Sequence, residues 1–406
     1  MRTVAVICEY NPFHDGHKHH IDSIRREFGE DTAIIAIMSG SFTQRGEIAI
    51  ADKGTRARAA VDCGVNLVLE LPFPFCISSA EHFAKAGVSI IASLGVVDCI
   101  SFGSECGNAE MITKTARITL SEEYQSLLHD LCRSPSHAEL GYPKLCELAL
   151  SEIAKGEDIA PLTPNNILAI EYAKALISGG YNEISIHTVK REGAGYNDTD
   201  ISTPGFKSAS AIREALYRGE ENALSFTPEK AREAYAAAVL EGGLPCLGER
   251  LSVAAISNLR IDPSSESLIG DADDGLYKRL KDASLKTNSI DGLVRLTETK
   301  KFTKARIRRV IWYSLLGVTS SELRETPHYT QVLAMDKVGQ SRLKSIGKHG
   351  KITVLTKPTA TAGMSEAALA QYERSMRAEA IFQLSRPVFA DGSLAYKFTP
   401  YVKKGE

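Results

Sequence analysis

Four short apolar runs, separated by segments of helical composition, occupy the first hundred residues of this chain. The apolar runs cover residues 3–8, 32–38, 65–69 and 96–102, and the helical segments cover residues 16–28, 54–63 and 80–94. The runs are almost continuously apolar, which predicts strands that are buried on both faces of a sheet. Because strands that alternate with helices favour parallel pairing, the sequence predicts an α/β fold with a Rossmann-like parallel sheet.

The rest of the chain has a weaker and more helical pattern. We predict helices at residues 166–177 and 210–217, a fifth strand at 183–189, and a polar, glycine-rich loop at 193–205. Thr227, Pro228 and Glu229 have the pattern of an N-cap, a first-turn proline and an acidic first-turn residue. A mostly helical region should therefore begin there and continue to about residue 325. Residues 326–406 mix short helical and extended segments whose order the pattern does not determine.

Length and composition limit the kind of protein. With 406 residues the chain exceeds one ordinary core, and the changes of pattern divide it into regions 1–220, 221–325 and 326–406. Hydrophobic residues make up 43% of the chain and charged residues 24%, which argues against extensive disorder. The net charge of −2 means that any surface for nucleic acid must come from local clustering of basic residues.

The cysteines and apolar segments indicate the compartment. None of the eight cysteines forms a C-x-x-C pair, so neither a zinc knuckle nor a redox pair is supported. The first apolar run ends in a charge at Glu9, which fits a buried strand and not a signal peptide. No stretch reaches the roughly 18 uncharged apolar residues of a membrane helix. We expect a reduced, cytoplasmic protein without a membrane partner.

A histidine-rich turn follows the first predicted strand. It reads Cys8-Glu9-Tyr10-Asn11-Pro12-Phe13-His14-Asp15-Gly16-His17. A helix N-terminus at the end of a parallel strand offers free N–H groups and a partial positive charge, which suit phosphate. Gly16 removes a side chain where a nucleotide approaches, and an imidazolium can stabilise the charge that builds on phosphate oxygens. The turn predicts an ATP-using enzyme that acts at the α-phosphate, with His14 and His17 as catalytic residues.

The same histidines allow two other interpretations. His14 and His17 can be a surface pair, or they can bind a metal ion together with His19 and His20, because four histidines lie within seven residues. The preceding strand and the Asn-Pro-Phe sequence before His14 favour the nucleotide role, so we predict no metal ligands. His19 and His20 are expected on the helix, facing solvent or substrate.

This turn resembles the His-x-Gly-His signature of the nucleotidylyltransferase superfamily. Further blocks lie in order over residues 4–213 and resemble the tRNA(Met) cytidine acetate ligase family, with weaker similarity towards the C-terminus. They are Met38-Ser39-Gly40-Ser41-Phe42-Thr43-Gln44-Arg45-Gly46-Glu47, Glu70-Leu71-Pro72, Phe102-Gly103-Ser104-Glu105, Pro164-Asn165-Asn166-Ile167-Leu168 and Lys190-Arg191-Glu192-Gly193-Ala194-Gly195-Tyr196. The resemblance implies a nucleotidylyltransferase-type catalytic domain at 1–220 and a helical region that presents tRNA at 221–325.

Members of that family activate acetate with ATP to give acetyl-adenylate. They then transfer the acetyl group to N4 of the wobble cytidine of elongator tRNA(Met). For this chain the resemblance implies an ATP-dependent ligase that forms N4-acetylcytidine and releases AMP and pyrophosphate, with acetate and elongator tRNA(Met) as partners. Mg²⁺ is expected to accompany ATP and to be held mainly by phosphates, because the sequence shows no carboxylate cage. No obligate protein partner is evident.

The resemblance also assigns residues to the ATP site. It implies that His14 and His17 contact the phosphates and that all of residues 7–20 contact ATP, namely Ile7, Cys8, Glu9, Tyr10, Asn11, Pro12, Phe13, His14, Asp15, Gly16, His17, Lys18, His19 and His20. Gly103 should contact the nucleotide through its backbone, and Asn165 or Asn166 should complete the pocket with Arg191. The family commonly has a hydrophobic residue after this arginine, so Glu192 receives no role.

These last positions also have ordinary structural explanations. Gly103 can be a plain turn glycine. Asn165 or Asn166 can be the N-cap of the helix that follows, and Arg191 can be an exposed arginine.

Two polar segments border the predicted cleft. Ser208 and Ser210 open a helix with Arg213 one turn on, which suits the triphosphate and is similar to a superfamily motif, although Ser208 can be only an N-cap. The segment after the second strand can hold acetate or the target base, or it can be a surface loop without chemistry. Its candidate residues are Ser39, Gly40, Gln44 and Arg45.

A basic run in the C-terminal half can bind RNA. It comprises Lys300, Lys301, Lys304, Arg306, Arg308 and Arg309. Phe302 and Trp312 are interleaved with these cations, and such a run can neutralise several phosphates. A solvated helix face is the alternative, and the family resemblance favours contact with tRNA. Further basic residues that can extend the patch are Lys337, Arg342, Lys344, Lys348 and Lys351.

Two rival functions use the same histidine turn. An adenylyltransferase could make a dinucleotide cofactor from a small phosphate ester such as phosphopantetheine, but such enzymes are much shorter and need no basic helical extension. A non-enzymatic protein could retain a nucleotide pocket and bind RNA. Intact His14, Gly16 and His17 weigh against that second alternative.

Overall fold

The described part of the chain contains one sheet of eight strands. The structure, a computed structural model, describes residues 1–137, 139–191, 207–264 and 266–404. The strands are β1 (Thr3–Cys8), β2 (Ala33–Ser39), β3 (Leu67–Leu71), β4 (Cys99–Ser104), β5 (Ser185–Lys190), β6 (Tyr329–Met335), β7 (Thr353–Leu355) and β8 (Tyr401–Val402). Their order in the sheet is β5-β4-β1-β2-β3-β6-β7, and β8 pairs with β6.

Helices cover both faces of this sheet. They are α1 (Asp15–Phe28), α2 (Lys53–Asp62), α3 (Ala80–Ser93), α4 (Ala109–Leu120), α5 (Glu122–Arg133), α6 (Tyr142–Ala154), α7 (Pro164–Ser178), α8 (Ala209–Tyr217), α9 (Glu229–Leu240), α10 (Ser252–Ile261), α11 (Leu276–Ser284), α12 (Ile290–Thr297), α13 (Lys304–Leu316), α14 (Lys337–His349) and α15 (Glu366–Gln383). Buried residues of α1, α2 and α9 share one core cluster, and those of α3, α7 and α10 to α13 share the other.

The first five strands are parallel, as the sequence predicts. β1 pairs with β2 and β4, β2 pairs with β3, and β4 pairs with β5, all in the parallel sense. The chain therefore moves outward from β1 to β3 and then returns to add β4 on the other side of β1. This reversal of strand order creates a crevice at the carboxyl ends of β1 and β4, where ligands bind in open α/β sheets.

Burial on both faces explains the continuous apolar strands. All seven residues of β2 are buried. In β1, Ala5 packs into one core cluster, whereas Val4 and Val6 pack into the other. Since successive side chains of a strand point to opposite faces, an apolar residue is needed at each position.

Several element boundaries differ from the predictions. β3 and β4 begin two and three residues later than the apolar runs do, since such runs report burial and not ladder pairing. The prediction that Thr227 is an N-cap was wrong. Its hydroxyl donates to the Leu224 carbonyl oxygen at 2.6 Å, and α9 begins at Glu229 with Pro228 in the cap position.

The C-terminal region joins the same sheet. β6 pairs antiparallel with β3, and its residues are almost all buried. The region boundaries near 220 and 325 stay predictions, but the sheet itself extends across both. The loop predicted at 193–205 and the position of Glu192 lie outside the described residues. Within the described ranges, no helix combines the length and the apolar character needed to cross a membrane.

Candidate active site

A cleft of about 410 Å³ opens at the carboxyl ends of β1 and β4. This volume lies within the roughly 300–1,000 Å³ range of small-ligand pockets. Its lining combines the end of β1 and the start of α1 with the N-terminal turns of α7 and α8. Phe83, Phe102, Leu168 and Tyr172 make part of the lining apolar, and most of the polar residues predicted for ATP also line the cleft.

Hydrogen bonds to backbone N–H groups orient the rings of His14 and His17 at the N-terminus of α1. Nδ1 of His14 accepts the Gly16 N–H at 3.0 Å, and Nδ1 of His17 accepts the His14 N–H at 3.2 Å. The two ring centroids are 3.8 Å apart. Because each Nδ1 uses its lone pair to accept a hydrogen bond, each neutral ring carries its proton on Nε2. The arrangement therefore presents two Nε2–H donors beside a helix N-terminus, which is a site suited to phosphate oxygens.

Burial keeps these rings neutral. It lowers the pKa of His14 to about 3, and Arg191 and Arg213 act in the same direction. Burial also lowers the pKa of His17, with further contributions from His14, Arg191 and His20. The imidazolium expected from the sequence is therefore not the form of the ligand-free site at neutral pH. Neutral imidazoles are still hydrogen-bond donors, so the two rings can stabilise negative charge on phosphate oxygens without being protonated.

Gly16 is required by the histidine itself. A Cβ at this position would lie 2.9 Å from Cε1 of His14, closer than side-chain carbons approach one another. The sequence predicts space for a nucleotide at Gly16, whereas the structure places the His14 ring there. Any larger residue would displace the ring that caps the helix.

The segment 7–20 only partly faces the cleft. Ile7, Cys8, Glu9, Tyr10, Asn11, His14, His17 and His20 line it, and Gly16 and His19 line an adjoining recess. Pro12, Phe13, Asp15 and Lys18 are absent from both linings, and their contact with ATP stays a prediction. Phe13 is fully buried, its N–H donates to the Tyr235 hydroxyl, and Lys18 pairs with Asp22 along α1.

His20 belongs to a polar chain between α1 and the sheet. Its Nε2 lies 2.8 Å from the Ser101 hydroxyl, which lies 2.9 Å from Nδ1 of His187. Burial, followed by the neighbouring His187, lowers the pKa of His20 to about 3. Among the described residues, no group of three His, Cys, Asp or Glu side chains is arranged to hold a metal ion.

The two candidate asparagines at the start of α7 differ in their exposure to the cleft. Asn165 lines the cleft, and its Nδ2 donates to Glu105. Asn166 is fully buried and does not line the cleft. Its Oδ1 accepts the N–H groups of Glu105 and Cys106, and its Nδ2 donates to a backbone carbonyl. Neither asparagine is the N-cap, because α7 begins at Pro164 after Thr163.

Gly103 and Arg191 are neighbours at the ends of β4 and β5. Both line the cleft and the adjoining recess. A Cβ on Gly103 would lie 3.2 Å from Cγ of Arg191, so a side chain there would push on the arginine. The glycine thus keeps both backbone and arginine accessible to a ligand.

Arg213 reaches the cleft from α8 but is engaged by a carboxylate. Its guanidinium donates to the Asn11 carbonyl oxygen at 2.9 Å, to Glu47 at 2.8 Å and to the Ser210 hydroxyl at 3.3 Å. Ser208 is the N-cap of α8, because its hydroxyl accepts the Ala211 N–H, and it also lines the cleft. The two interpretations offered for Ser208 are therefore compatible with each other.

The loop after β2 is divided between the cleft and the core. Gln44 and Arg45 line the cleft. Ser39 and Gly40 are not part of this lining, and their role in an acetate or cytidine pocket stays a prediction. Both are buried, and a Cβ on Gly40 would lie 2.7 Å from Oε1 of Glu70, a carboxylate that accepts from Lys53 at 2.7 and 2.8 Å.

Arg56 is a residue that the sequence analysis missed. It is fully buried, and its guanidinium donates to the carbonyl oxygens of Glu9, Ser39, Gly40 and Ala51. It thereby ties the end of β1 to the loop after β2. No pattern on a helix of ordinary composition marks one arginine as buried, so only the tertiary contacts reveal it.

Comparison with known proteins agrees with this geometry. The family described as HIGH Nucleotidyl Transferase matches residues 1–393 of the chain. The chain is 34% identical to a tRNA(Met) cytidine acetate ligase of Thermoanaerobacter sp. (strain X514), over 98% of this chain and 96% of that protein. It is 36% identical to the protein of the same name from Clostridium acetobutylicum, over 88% and 90%. The chain belongs to the tRNA(Met) cytidine acetate ligase family.

Solved structures of this family have the same fold. A crystal structure of Thermotoga maritima TmcAL bound with α-thio ATP superimposes with a TM-score of 0.87 at 28% identity, covering 99% of this chain and 100% of that one. An apo form of the same protein gives a TM-score of 0.89 over the same shares. The predictions of an α/β nucleotidylyltransferase-type fold and of family membership are confirmed.

The basic run lies on and before α13 in this family member, but much of it is not free. Arg306 pairs with Asp271 and Asp273, and Arg309 is buried against Asp271. Arg308 contacts Glu47 at 3.5 Å and Asp291 at 3.8 Å. Acidic side chains thus lie against all three arginines, and their contact with tRNA stays a prediction.

The aromatic residues of the run belong to the core. Phe302 and Trp312 are buried, and the indole N–H of Trp312 donates to the Gly46 carbonyl oxygen at 2.8 Å. Lys300, Lys301 and Lys304 are exposed. The further basic residues lie on α14 or just after it, where Lys337, Lys344, Lys348 and Lys351 are exposed and Arg342 is partly buried. These lysines keep the tRNA interpretation as a prediction.

Proposed function

We propose that this chain is an ATP-dependent ligase that forms acetyl-adenylate and transfers its acetyl group to N4 of the wobble cytidine of elongator tRNA(Met). The observation that carries the proposal is the pair of Nε2–H donors that His14 and His17 present at the start of α1, in a chain of this family. The names of the relatives supply the acid and the RNA.

In the first step an acetate oxygen attacks the α-phosphorus of ATP. The new P–O bond forms as the bond to the β-phosphate breaks, and pyrophosphate leaves with the electron pair. His14 and His17 donate to the phosphate oxygens on which negative charge builds. Arg191 and Arg213 line the cleft and add positive charge, and Arg213 exchanges Glu47 for a phosphate oxygen.

In the second step the cytidine N4 amine attacks the acetyl carbonyl carbon and AMP leaves. Gln44 and Arg45 are the residues of the β2 loop that line the cleft, so they are the candidates to orient acetate or the base. Mg²⁺ bound with ATP would be held mainly by the phosphates and would neutralise part of their charge, since the described residues offer no carboxylate cluster for it.

The surface for tRNA is assigned to the helical region at 221–325. Lys300, Lys301 and Lys304 are exposed at the start of α13, and Glu47 connects the neighbouring Arg308 to Arg213 in the cleft. A tRNA on this side can therefore reach the site of adenylate formation. Because ATP and tRNA are cytoplasmic and all eight cysteines are free thiols, we assign the activity to the cytoplasm.

The test is direct acetylation of the RNA. Unmodified elongator tRNA(Met) is incubated with ATP and labelled acetate, and the digested nucleosides are analysed for N4-acetylcytidine. We expect label in this nucleoside, with stoichiometric AMP and pyrophosphate. A product in which AMP is joined to a small phosphate ester would identify an adenylyltransferase instead, and no turnover with any tRNA would support a binding protein.

A further inference from the structure

Glu9 is an unusual residue for a cleft that takes a nucleotide. It directly follows β1, and it is the only Asp or Glu among the described residues that line the cleft. Its Oε1 accepts the backbone N–H of Gln44 at 2.8 Å. Its Oε2 has no hydrogen-bond partner among the described residues, so this oxygen is available to a ligand.

A carboxylate at this position opposes binding of a polyanion. Coulomb repulsion from a negative charge in a partly desolvated cleft weakens contact with a triphosphate. The charged groups around Glu9 come from three elements, namely Arg56 on α2, Glu47 in the loop after β2 and Arg213 on α8. Burial raises the pKa of Glu9, Glu47 acts in the same direction, and the Gln44 N–H and both arginines oppose the rise.

The second chemical step needs a proton acceptor. When an amine replaces AMP at the acetyl carbon, the nitrogen must lose one proton. The two active-site histidines are poor acceptors, because each Nδ1 already accepts a backbone N–H and each Nε2 carries the ring proton. His20 is engaged with Ser101, and its pKa of about 3 makes it a weak base.

We propose that Glu9 is the general base of acetyl transfer and takes the proton from the cytidine N4 amine on Oε2. In this step the N4–C bond forms, the bond between the acetyl carbon and the AMP oxygen breaks, AMP leaves with the electron pair, and the proton moves to Glu9. The inference rests on the proposed function. It predicts that the two steps depend on Glu9 differently, because acetyl transfer needs Glu9 as a base and adenylate formation does not.

The separating experiment uses Glu9→Gln in the full chain. The amide oxygen of glutamine can still accept the Gln44 N–H, but the side chain cannot take up a proton. Acetate-dependent exchange between ATP and labelled pyrophosphate measures the first step, and single-turnover transfer from enzyme-bound acetyl-adenylate to tRNA measures the second. We expect transfer to slow by about 10²-fold or more, the usual range for general bases, and to slow much more than exchange does.

The pH profile and a conservative variant provide further tests. Wild-type transfer should slow as the pH falls through the raised pKa of Glu9, and Glu9→Gln should lack this acidic limb. Glu9→Asp keeps a carboxylate and should recover part of the transfer rate. Equal loss of both steps in Glu9→Gln, unimpaired transfer, or a wild type without an acidic limb would each overturn the assignment. A wild type that neither exchanges pyrophosphate nor acetylates tRNA would instead refute the proposed function.

Discussion

The histidine turn at residues 14–17 and the basic run at 300–309 look alike in sequence but differ in the structure. Each concentrates polar nitrogen atoms within a few residues, and each was assigned to phosphate recognition. In the turn, the backbone N–H groups that orient the two rings come from positions 14 and 16, so the local sequence contains the whole arrangement. In the run, the partners of Arg306 and Arg309 come from residues 271–273, more than 30 positions earlier.

This difference concerns how far apart interacting residues lie in the chain. A helix cap is made by neighbours, and therefore a short motif can specify both the residue types and their orientation. Whether a cation is free for phosphate depends on acidic residues brought close by the tertiary fold, which a run of basic residues does not show.

Replacing His17 by Asn should slow acetyl-adenylate formation by about 10²- to 10³-fold, the range found when one transition-state donor is lost. The Oδ1 of asparagine can still accept the His14 N–H, so thermal unfolding should remain close to that of the wild type. His17→Ala should abolish acetate-dependent AMP formation, and His14→Ala should do the same. Acetate-dependent pyrophosphate release measures the rate. Full activity in these variants would contradict the assigned chemistry.

Replacing Arg213 by Met should raise the Kd for ATP by about 10- to 100-fold, because a hydrogen bond to a charged group contributes roughly 1.5–3 kcal/mol. Isothermal titration with a non-hydrolysable ATP analogue measures this affinity. Arg306→Met is the matched control, since it removes an arginine that is also ion-paired but lies on α13. Equal weakening of ATP binding by both substitutions would show that overall charge and not cleft geometry determines the affinity.

The distance along the chain between interacting residues also explains which features the sequence could predict. β1, α1 and the cleft position follow from apolar runs and a turn motif, which are local signals. Asn166 was assigned to the site by the family resemblance and Gly40 because its segment follows the second strand, yet both residues are buried in the structure. Arg56 was missed, and so was β6, whose pairing with β3 joins positions about 260 residues apart in the chain. Only the folded chain establishes such contacts.

The two regions should also differ in how they respond to pH. Because burial depresses the pKa of His14 and His20 to about 3, the unfolded chain binds more protons than the native protein between about pH 3 and 6.5. The native state therefore loses stability as the pH falls below about 6.5. Each such histidine contributes up to about 1.4 kcal/mol per pH unit.

His20→Asn isolates this contribution. The variant should have a shallower dependence of unfolding free energy on pH between 5.5 and 7.5 than the wild type, as measured by urea denaturation. Arg306→Met should shift the whole curve without changing its slope, since an arginine does not titrate in this range. An unchanged slope in His20→Asn would show that the ring is not buried as a neutral group.

The smallest effect is expected from the exposed lysines. Replacing Lys300, Lys301 and Lys304 together by Met should raise the Kd for tRNA by about three- to tenfold. The slope of log Kd against log salt concentration should also fall, by the amount expected for up to about three fewer neutralised phosphates, because each lysine that binds a phosphate releases counterions. The weak surface ion pairs of Lys301 with Asp274 and of Lys304 with Glu298 can be exchanged for phosphate at little cost. Filter binding over a range of salt concentrations measures both quantities.

Arg306→Met is again the informative comparison, because this arginine belongs to the same run but is held by acidic residues. It should lower the free energy of unfolding by about 1–3 kcal/mol, because Asp271 then loses one of its two arginine partners and keeps only Arg309. The affinity for tRNA and the salt dependence should stay at wild-type values. If instead the arginine variant weakened tRNA binding while the lysine variant did not, the ion pairs of α13 would have to open on binding, and the run as a whole would regain the role that its composition suggests.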